Sequence, residues 1–578
     1  MLVAELAEGF ARIEGTTSRQ RVTALLADIL RRGPEDADIL LYLLQGRLGP
    51  PYAAPDLGMD ERRIVQAVAA ATGIAAAEVW RRYQRRGDLG LVAEELGQPA
   101  GRRVAIREVH EQLRRIAEAG GPGAYDARVR LLRDLLQRLG GRETRYLVRM
   151  VTGKLRPGVA DATIMDALSV ACVDALTLRP DIERAYSHCS DLGLVARTLL
   201  SGGPTALDGI HPTPGRPVLA ALAERLPSAR EGIRKLGRVI AESKYDGLRL
   251  QAHKDGDGVW LFTRRLENAT AAFPEVGRAV REQVRARQAI LDGEAIGYDP
   301  RTGRLLPFQH TVRRRRKHGV EAMEVRYPLR YYAFDLLYVD GRDLTPLPQR
   351  ERSRRLRAVL RETADAPLRV TPQLETEDAA ALERFVDRMV REGFEGTMLK
   401  RPDAPYHAGA RRFNWVKLKR GYQKALADTF DVVVVGYYFG RGRRARLGIG
   451  ALLCAVYDPA EGRFRTVTRV GSGLPDAEWA RLRETLDVIR VPEKPRQVDS
   501  ELVPDVWVEP RYVLEVLAGE ITCSPRHTCG KAGAAPGYAL RFPRIARLRF
   551  DRRPEDATTE AEVQRLYASG GPAGGRAA

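Results

Sequence analysis

The spacing of apolar residues changes along this chain, and the change limits the folds that the chain can adopt. Up to about residue 200 apolar residues recur at helical spacing, and a proline- and glycine-rich segment follows at 200–216. Helical and alternating patterns are then mixed, until short alternating segments between glycine-rich turns take over near residue 426. The clearest helical segments are Val22–Leu30, Ile64–Ala71, Ala127–Leu139 and Ala162–Ala171.

These changes predict a multidomain protein, since 578 residues can form several domains that each bury a core. We expect an all-α domain at residues 1–205, a mixed α/β domain at 206–425, an all-β domain at 426–566 and a disordered, low-complexity tail at 567–578. The closely spaced short strands of the third segment suggest a small barrel. They are Phe430–Val435, Ala451–Tyr457, Arg463–Val470 and Tyr512–Leu517.

The chain is strongly basic, with 95 Lys and Arg residues against 75 Asp and Glu residues and a formal net charge of +20. This balance favours a polyanionic partner such as nucleic acid, with a merely solvated basic surface as the alternative. Only 11 of the basic residues are lysines. A lysine, unlike an arginine, can lose its proton and act as a nucleophile. Four of the lysines fall in segments that look like strand ends, namely Lys244, Lys400, Lys417 and Lys419.

Membrane and export signals are missing from the sequence pattern. No apolar run approaches the roughly 18 residues of a membrane span. The start, MLVAELAEGFARIEG, carries acidic residues where a signal peptide would be basic. The 5 cysteines stand at irregular positions and do not make a disulfide framework. We therefore expect a soluble intracellular protein.

The segment ESKYDGLR at 242–249 opens an alternating stretch that predicts a β-hairpin. Leu248, Leu250 and Ala252 alternate with polar residues, and the turn DGDG at 255–258 leads into a second alternating run. This hairpin would place Arg249 and Arg264 near one end of a small sheet, within reach of a phosphate.

Two carboxylates, those of Glu294 and Glu395, are predicted near Lys244. Asp292 and Glu294 share one face of a predicted strand, so a carboxylate can project toward the lysine. Glu395, in EGTMLK, is suited as a hard oxygen ligand for Mg²⁺. The alternative for each is an acid without a chemical role.

Lys417 and Lys419 alternate with Val416 and Leu418, so both ammonium groups emerge on one side of a strand. Two cations converging on a phosphate would stabilise the charge that develops there. The alternative is a pair of lysines on an exposed strand.

Seven short segments, in order, resemble the nucleotidyltransferase motifs of ATP-dependent DNA ligases. The spacing is most similar to that of the archaeal and eukaryotic replicative ligases and their bacterial relatives. The segments are KYDGLR at 244–249, LFTRRLEN at 261–268, LDGEAI at 291–296, YYAFDLLY at 331–338, EGTMLK at 395–400, WVKLK at 415–419 and RFPR at 541–544.

The resemblance implies that Lys244 attacks ATP and carries AMP as a covalent intermediate. It implies that Phe334 stacks on adenine and that Mg²⁺ binds at Glu294 and Glu395. Tyr332 shares a strand face with Phe334, and a core pair is the alternative there. The residues implied to bind the nucleotide are Glu242, Arg249, Arg264, Glu294, Phe334, Arg411, Lys417, Lys419, Arg541 and Arg544.

The resemblance extends to the segment GKLRPG at 153–158, before a helix predicted to open near Asp161. Lys154 and Arg156 flank a turn at the entry to that helix, a position that suits phosphate binding. Similar segments lie in the DNA-binding domain of these ligases. The family implies an all-α DNA-binding domain, an α/β nucleotidyltransferase (adenylation) domain and an all-β OB-fold domain.

The predicted function is the sealing of nicks in duplex DNA with ATP. We expect a monomer without membrane partners, cytoplasmic and nucleoid-associated in a prokaryote, with a sliding clamp as a candidate partner. Alternative enzymes are an RNA ligase, an mRNA-capping guanylyltransferase and an NAD⁺-dependent DNA ligase. The GKLRPG region argues against the first two, and the lack of a four-cysteine zinc finger argues against the third. A non-catalytic DNA clamp is the alternative from another class.

Overall fold

The computed structural model of the chain divides into two units, residues 1–417 and residues 418–578, which are described separately. It describes all residues except 17, 99–100, 154, 156–158, 227, 307–309, 312–313, 315–318, 362–365, 393, 410, 420–428, 441–446, 534, 550 and 571–578. The side chains of residues 225, 411, 419, 569 and 570 are also outside the description.

The N-terminal part of the first unit is helical. Local signals set the ends of its helices: the Asp60 side chain accepts a hydrogen bond from the N–H of Arg63, and Gly73 ends the same helix with a φ of 74°. Numbered α1 to α12, the helices are Val3–Glu14, Arg19–Arg32, Ala37–Leu44, Glu61–Thr72, Ala76–Arg86, Leu89–Leu96, Ile106–Glu118, Ala124–Leu136, Gly141–Val151, Asp161–Val173, Arg179–Cys189 and Leu192–Gly202.

The helical part encloses one apolar core, in which Phe10, Leu26 and Val148 are fully buried. The four helical segments predicted from sequence fall on α2, α4, α8 and α10, which confirms their spacing. The predicted segment Ala127–Leu139 extends past the end of α8 at Leu136. Leu139 is buried in the turn that follows, so its apolar character reflects the core rather than a helix.

The remainder of the first unit is built from strands with helices between them. Strands β1 to β11 are Leu222–Arg225, Val239–Lys244, Leu248–Asp255, Gly258–Thr263, Gln288–Gly297, Leu329–Val339, Arg342–Asp343, Leu368–Val370, Gln373–Thr376, Gly396–Lys400 and Arg411–Lys419. Helices α13 to α17 are Ala229–Leu236, Pro274–Gln283, Val320–Arg326, Gln349–Val359 and Ala379–Arg391.

These strands form two sheets. One has the order β1-β11-β10-β2-β9, and the other has the order β4-β3-β5-β6-β7 with β8 beside β6. The predicted hairpin is confirmed, because β3 pairs antiparallel with β4 and Asp255 lies opposite Gly258 across the turn. Apolar residues from both sheets, including Ile290 of β5 and Trp415 of β11, pack together in one buried cluster. Phe334, which is predicted to stack on a nucleotide base, packs against this cluster.

The second unit is mostly β. Strands β12 to β21 are Thr429–Tyr438, Ala451–Asp458, Arg463–Val470, Arg490–Val491, Val498–Asp499, Val506–Val508, Val513–Leu517, Glu520–Ser524, Gly537–Arg541 and Arg544–Arg549. A sheet runs in the order β15-β17-β12-β13-β14-β16, β18 joins β12 to β21, and β19 pairs with β20. The four strands predicted from sequence fall on β12, β13, β14 and β18.

Two features of the second unit differ from the prediction. The unit is not entirely β, because helices α18 (Asp476–Asp487) and α19 (Glu560–Gly570) lie within it, and Trp479 of α18 is fully buried in the core. The predicted disordered tail at 567–578 begins inside α19. The apolar face of that helix explains the difference, since Val563 is buried and the ring of Tyr567 lies 4.7 Å from that of Tyr538. Residues 571–578 are outside the description.

The helices that the structure describes include none with the length and apolar character to span a membrane.

Candidate active site

Lys244 ends β2 and meets the start of β10 across the sheet. The antiparallel register places Gly396 opposite Lys244, and the N–H of Glu395 donates to the carbonyl of Lys244 at 3.0 Å. The Nζ of Lys244 also forms an ion pair with the Glu395 carboxylate. About a fifth of each side chain is exposed, 19% for Lys244 and 24% for Glu395. The predicted nucleophile and a predicted metal ligand are therefore in direct contact.

Glu294 is the second carboxylate near Lys244. It lies on β5 opposite Arg249 of β3. Burial raises the pKa of Glu294 to about 7, although the positive charges of Lys244 and Arg249 and the N–H of Gly247 act in the opposite direction. The carboxylate therefore lies within electrostatic range of the Lys244 amine, as the alternation of β5 predicts.

Gly247, in KYDG, allows β5 to approach the loop after Lys244. A Cβ atom added at this position would lie 2.5 Å from the carbonyl oxygen of Ala295 and 2.9 Å from Cγ of Glu294. Both distances are shorter than van der Waals contact, so any larger residue would push Glu294 and its strand away from Lys244.

Arg249 has a buried acidic partner that sequence reasoning missed. Its guanidinium donates to both carboxylate oxygens of Asp292, at 3.0 and 2.6 Å, and to the carbonyl of Ala221 at 3.0 Å. The hydroxyl of Tyr406 donates to the same carboxylate at 2.9 Å. Burial opposes the charge of Arg249, but Asp292 outweighs it and the pKa of Arg249 is raised.

Arg249 and Arg264 line a common cavity, as the predicted hairpin requires. Pro217 and Val218 contribute to its wall from the segment that precedes β1, and Thr263 contributes from the end of β4. Both arginines thus border one concave surface between the hairpin and this segment.

The predicted adenine-stacking residue, Phe334, lies on β6. Its ring packs edge-on against Trp415 with centroids 5.9 Å apart, and the guanidinium of Arg249 lies 5.5 Å from the ring centre. Its neighbour Tyr332 is buried and stacks on Tyr245 at 4.5 Å, so it belongs to the core.

Glu242 and Lys400 form a second ion pair, at 2.8 Å, and both are almost fully buried. Glu242 was predicted to bind the nucleotide, but its pairing with Lys400 was not predicted. Lys400 stood out in the sequence only as one of few lysines near strand ends. Its partner depends on the pairing of β2 with β10, which no local pattern reveals.

The other predicted residues are described less completely. Lys417 is partly buried on β11, while Arg411 and Lys419 lie on the same strand with side chains outside the described set. Lys154 and Arg156 fall outside the described residues. The remaining two lie in the second unit: Arg541 on β20, where it pairs with Glu520 at 3.1 Å, and Arg544, exposed on β21.

Three family models match the chain along most of its length. The model described as DNA ligase N terminus matches residues 2–169, the ATP dependent DNA ligase domain matches 220–419, and the ATP dependent DNA ligase C terminal region matches 445–552. The chain belongs to the ATP-dependent DNA ligase family.

Full-length relatives agree with this assignment. The chain is 45% identical to "Probable DNA ligase" of Dictyoglomus thermophilum over 569 residues, which cover 98% of this chain and 97% of the relative. It is 43% identical over 584 residues to "DNA ligase" of Pyrobaculum calidifontis, covering 98% of both chains. A solved structure named "Pmar-Lig_Pre." matches with a TM-score of 0.54 and 16% identity, over 94% of this chain and 99% of that one, and supports the fold alone.

Proposed function

We propose that the chain seals nicks in duplex DNA with ATP, through an AMP group carried on Lys244. The observation that carries this proposal is the position of Lys244. Lys244 ends β2 of one sheet, its amine contacts Glu395, and it lies within electrostatic range of Glu294 on the other sheet. A lysine placed among carboxylates and cations suits transfer of a phosphoryl-linked group better than plain binding of nucleic acid.

The two sheets of residues 206–425 act as a nucleotidyltransferase domain in this proposal, and the β-rich part of the second unit acts as an OB-fold domain. The antiparallel path through β12, β13 and β14, with further pairing of β12 to β18, supports the second assignment. The helical part acts as the DNA-binding domain, with Lys154 and Arg156 contacting phosphates.

The donor set around Lys244 fits Mg²⁺. Glu294 and Glu395 supply hard carboxylate oxygens, and Mg²⁺ in nucleotide sites is commonly held by one or two carboxylates together with phosphates and waters. When bound, the ion would neutralise charge on the transferring phosphate.

The chemistry requires three displacements. The deprotonated Lys244 amine attacks the α-phosphorus of ATP and gives up one proton, the bond to the β-phosphate oxygen breaks, and pyrophosphate leaves. An oxygen of the 5′-phosphate of the nick then attacks the lysine-bound phosphorus, the P–N bond breaks, and the nitrogen takes up a proton as the amine is restored. Finally the 3′-hydroxyl attacks the activated 5′-phosphate, loses its proton and releases AMP as the phosphodiester forms.

Other side chains bind and orient the nucleotide in these steps. Phe334 offers a stacking surface for adenine, because its ring lies at the edge of the cluster between the sheets. Arg249 and Arg264 bind phosphate of the nucleotide at the cavity that they both line. Arg411, Lys417 and Lys419 of β11 complete the site in this proposal, Lys417 and Lys419 as cations for the α-phosphate. Arg541 and Arg544 act on the triphosphate tail.

The expected partner is nicked duplex DNA, bound by a monomer in a prokaryotic cytoplasm, with a sliding clamp as a candidate second partner. The test is sealing of a labelled nicked DNA duplex with ATP and Mg²⁺, compared with nicked RNA. We expect DNA to be sealed in preference to RNA, and Lys244→Arg to abolish sealing. Binding of the nicked duplex without sealing by the unaltered protein would instead support the non-catalytic clamp.

A further inference from the structure

Tyr406 lies in the segment between β10 and β11 and was not among the residues predicted from the sequence. Its side chain is 4% exposed and packs in the buried cluster that contains residues of both sheets. The ring is edge-on to that of Trp415 on β11, with centroids 5.7 Å apart. The N–H of Tyr406 donates to the carbonyl of Thr345 at 2.8 Å, so the backbone is fixed as well. A phenol in this position needs hydrogen-bond partners, because an unpaired buried hydroxyl is costly.

The hydroxyl of Tyr406 has two partners. It donates to Oδ2 of Asp292 at 2.9 Å and accepts the N–H of Ala221 at 2.9 Å. Asp292 lies on β5 of one sheet, and Ala221 directly precedes β1 of the other. Burial and the negative charge of Asp292 raise the pKa of Tyr406, so the hydroxyl keeps its proton and remains a donor. One hydroxyl group therefore joins a strand of one sheet to the entry of the other.

Both partners of the Tyr406 hydroxyl are also partners of Arg249. The Oδ2 atom of Asp292 accepts from Nη2 of Arg249 at 2.6 Å, and Oδ1 accepts from Nε at 3.0 Å. The carbonyl of Ala221 accepts from Nη1 of Arg249 at 3.0 Å. Tyr406, Asp292, Arg249 and Ala221 thus form a closed ring of hydrogen bonds.

This ring leaves part of the Arg249 guanidinium for a ligand. A guanidinium has five N–H groups, and Asp292 and Ala221 accept hydrogen bonds from three of them. The other two can donate to an anion at the cavity that Arg249 lines. Their direction follows from the plane of the guanidinium, which the carboxylate and the carbonyl fix. Because Tyr406 is too buried to touch a ligand in the cavity, it acts on such a ligand through Asp292 and Ala221.

We propose that Tyr406 is a positioning residue that orients Arg249 toward a phosphate of the nucleotide. Without the hydroxyl, Oδ2 of Asp292 loses a donor and the N–H of Ala221 loses its acceptor. Both groups are then held less firmly, and the guanidinium that they fix departs from the direction that suits the phosphate. This inference rests on the proposed function, in which Arg249 binds phosphate of the nucleotide.

The experiment measures formation of the enzyme–AMP adduct in single turnovers at increasing ATP concentration, for the unaltered protein and for Tyr406→Phe. It yields the maximal rate constant and the apparent KM for ATP. The final amount of adduct counts the active protein, so unfolded material affects neither value. The matched control is Tyr42→Phe, because the half-buried Tyr42 of α3 also donates to an aspartate, Asp191, at 2.9 Å, but in the helical part.

We expect Tyr406→Phe to raise the apparent KM for ATP about three- to tenfold, the factor that corresponds to one intramolecular hydrogen bond. The maximal rate constant should change by less than about twofold, as for the loss of an interaction that the bound substrate and the transition state share. Tyr42→Phe should change neither value. An unchanged KM in a folded Tyr406→Phe protein would overturn the inference.

A second substitution separates an effect through Arg249 from a general loosening of the site. Arg249→Lys keeps a positive charge beside Asp292 but cannot make the two-pronged contact with its carboxylate. Tyr406→Phe should therefore change the KM by less than about twofold when it is added to Arg249→Lys, because residues that act through one network are not additive. The same increase in KM in both backgrounds would show that Tyr406 does not act through Arg249.

Asp292→Asn provides another route if Tyr406→Phe does not fold. The amide keeps the shape of the carboxylate but weakens its hold on Arg249, so the KM for ATP should rise, and an unchanged KM would overturn the inference. Failure of the unaltered protein to form any adduct with ATP would refute the proposed function itself. Normal adduct formation with an unchanged KM in Tyr406→Phe would refute only the role of Tyr406.

Discussion

At the scale of single residues, the candidate site is held together by charged pairs between neighbouring strands. Lys244 pairs with Glu395, Glu242 with Lys400 and Arg249 with Asp292. Each pair joins a side chain of the ESKYDGLR segment to a residue outside it. The segment therefore depends on at least two other strands for the orientation of its functional groups.

Asp292→Asn should destabilise the protein. The change removes the charge that compensates Arg249 and leaves a largely buried guanidinium without its acid, at an expected cost of about 3 kcal/mol in the free energy of unfolding. Chemical denaturation measures this difference. The control is Asp387→Asn, because Asp387 is exposed on α17 and its loss should change stability by less than about 0.5 kcal/mol. Equal effects of the two substitutions would contradict the structural importance of the buried pair.

Gly247→Ala should lower both stability and the rate of adduct formation. The added Cβ meets the Ala295 carbonyl at 2.5 Å, and relieving that overlap should cost about 1–3 kcal/mol. Gly277→Ala is the control, because Gly277 lies in α14 and its Cβ would meet only Val259, at 4.0 Å. Thermal unfolding and adduct formation from ATP test both variants. A fully active Gly247→Ala protein would show that β5 need not approach the KYDG loop so closely.

The sequence singled out Lys244, Glu242 and Glu395 as candidates for chemistry but did not show how these residues pair. Alternation along β3 and β4 was sufficient to predict the hairpin and to predict that Arg249 and Arg264 lie near each other, because the two strands of a hairpin are close in sequence. The pairing of Lys244 with Glu395 and of Glu242 with Lys400 requires β2 to lie beside β10. That contact spans about 150 residues, and no local periodicity encodes it.

At the scale of secondary-structure elements, β3 fixes the segment that connects the helices to the sheets. Arg249, Gln251 and His253 alternate along β3 and contact Ala221, Val218 and Gly215 in turn. The same segment is held from the helical side, where the Ser190 hydroxyl donates to the carbonyl of Pro217 at 2.7 Å. β3 therefore carries Arg249 of the candidate site and also holds the segment that leads from the helices into the sheets.

His253 should make the stability of this arrangement sensitive to acid. The N–H of Gly215 donates to Nδ1 of His253, so Nε2 carries the proton and donates to Gln251. Burial lowers the pKa of His253 to about 3. Between pH 6.5 and 3 the unfolded chain therefore binds a proton that the folded chain does not, and folding stability falls as the pH falls.

The expected loss from His253 between pH 7 and 4 is about 3 kcal/mol. His253→Gln keeps a neutral hydrogen-bonding side chain and should make the dependence of unfolding free energy on pH shallower over this range. Denaturant titrations at several pH values measure the slope. Equal slopes for the two proteins would contradict the assignment of a buried neutral histidine.

At the scale of the whole molecule, periodicity was sufficient to order a helical part, a mixed part and a β-rich part along the chain. Periodicity was less informative about the residues at which each part begins and ends. The helix α19 occupies the start of the predicted tail because Val563 packs into the core of the second unit. This short amphipathic helix was not predicted because a low-complexity segment follows it. Its apolar side chains pack against strands that are far away in the sequence.

The net charge of +20 predicts that DNA binding and adduct formation respond differently to salt. Binding of a nicked duplex releases counterions, so raising the salt from about 50 to 200 mM should weaken it by roughly 10³- to 10⁵-fold for about six to ten phosphate contacts. Adduct formation from ATP, which we propose takes place at Lys244, neutralises far fewer phosphate charges and should change far less. Fluorescence anisotropy and single-turnover kinetics compare the two responses. Parallel losses in both would contradict separate binding and chemical regions.

Whether the Lys244 amine carries AMP can be read from the mass of the protein after incubation with the nucleotide. The protein is incubated with ATP and Mg²⁺, and its intact mass and proteolytic peptides are then determined, with Lys244→Arg and Lys417→Arg as companions. We predict one adenylyl group on the peptide containing Lys244, none on Lys244→Arg, and a reduced but detectable amount at the same position in Lys417→Arg. An adduct on another residue, or on the Lys244→Arg protein, would show that Lys244 is not the carrier of AMP.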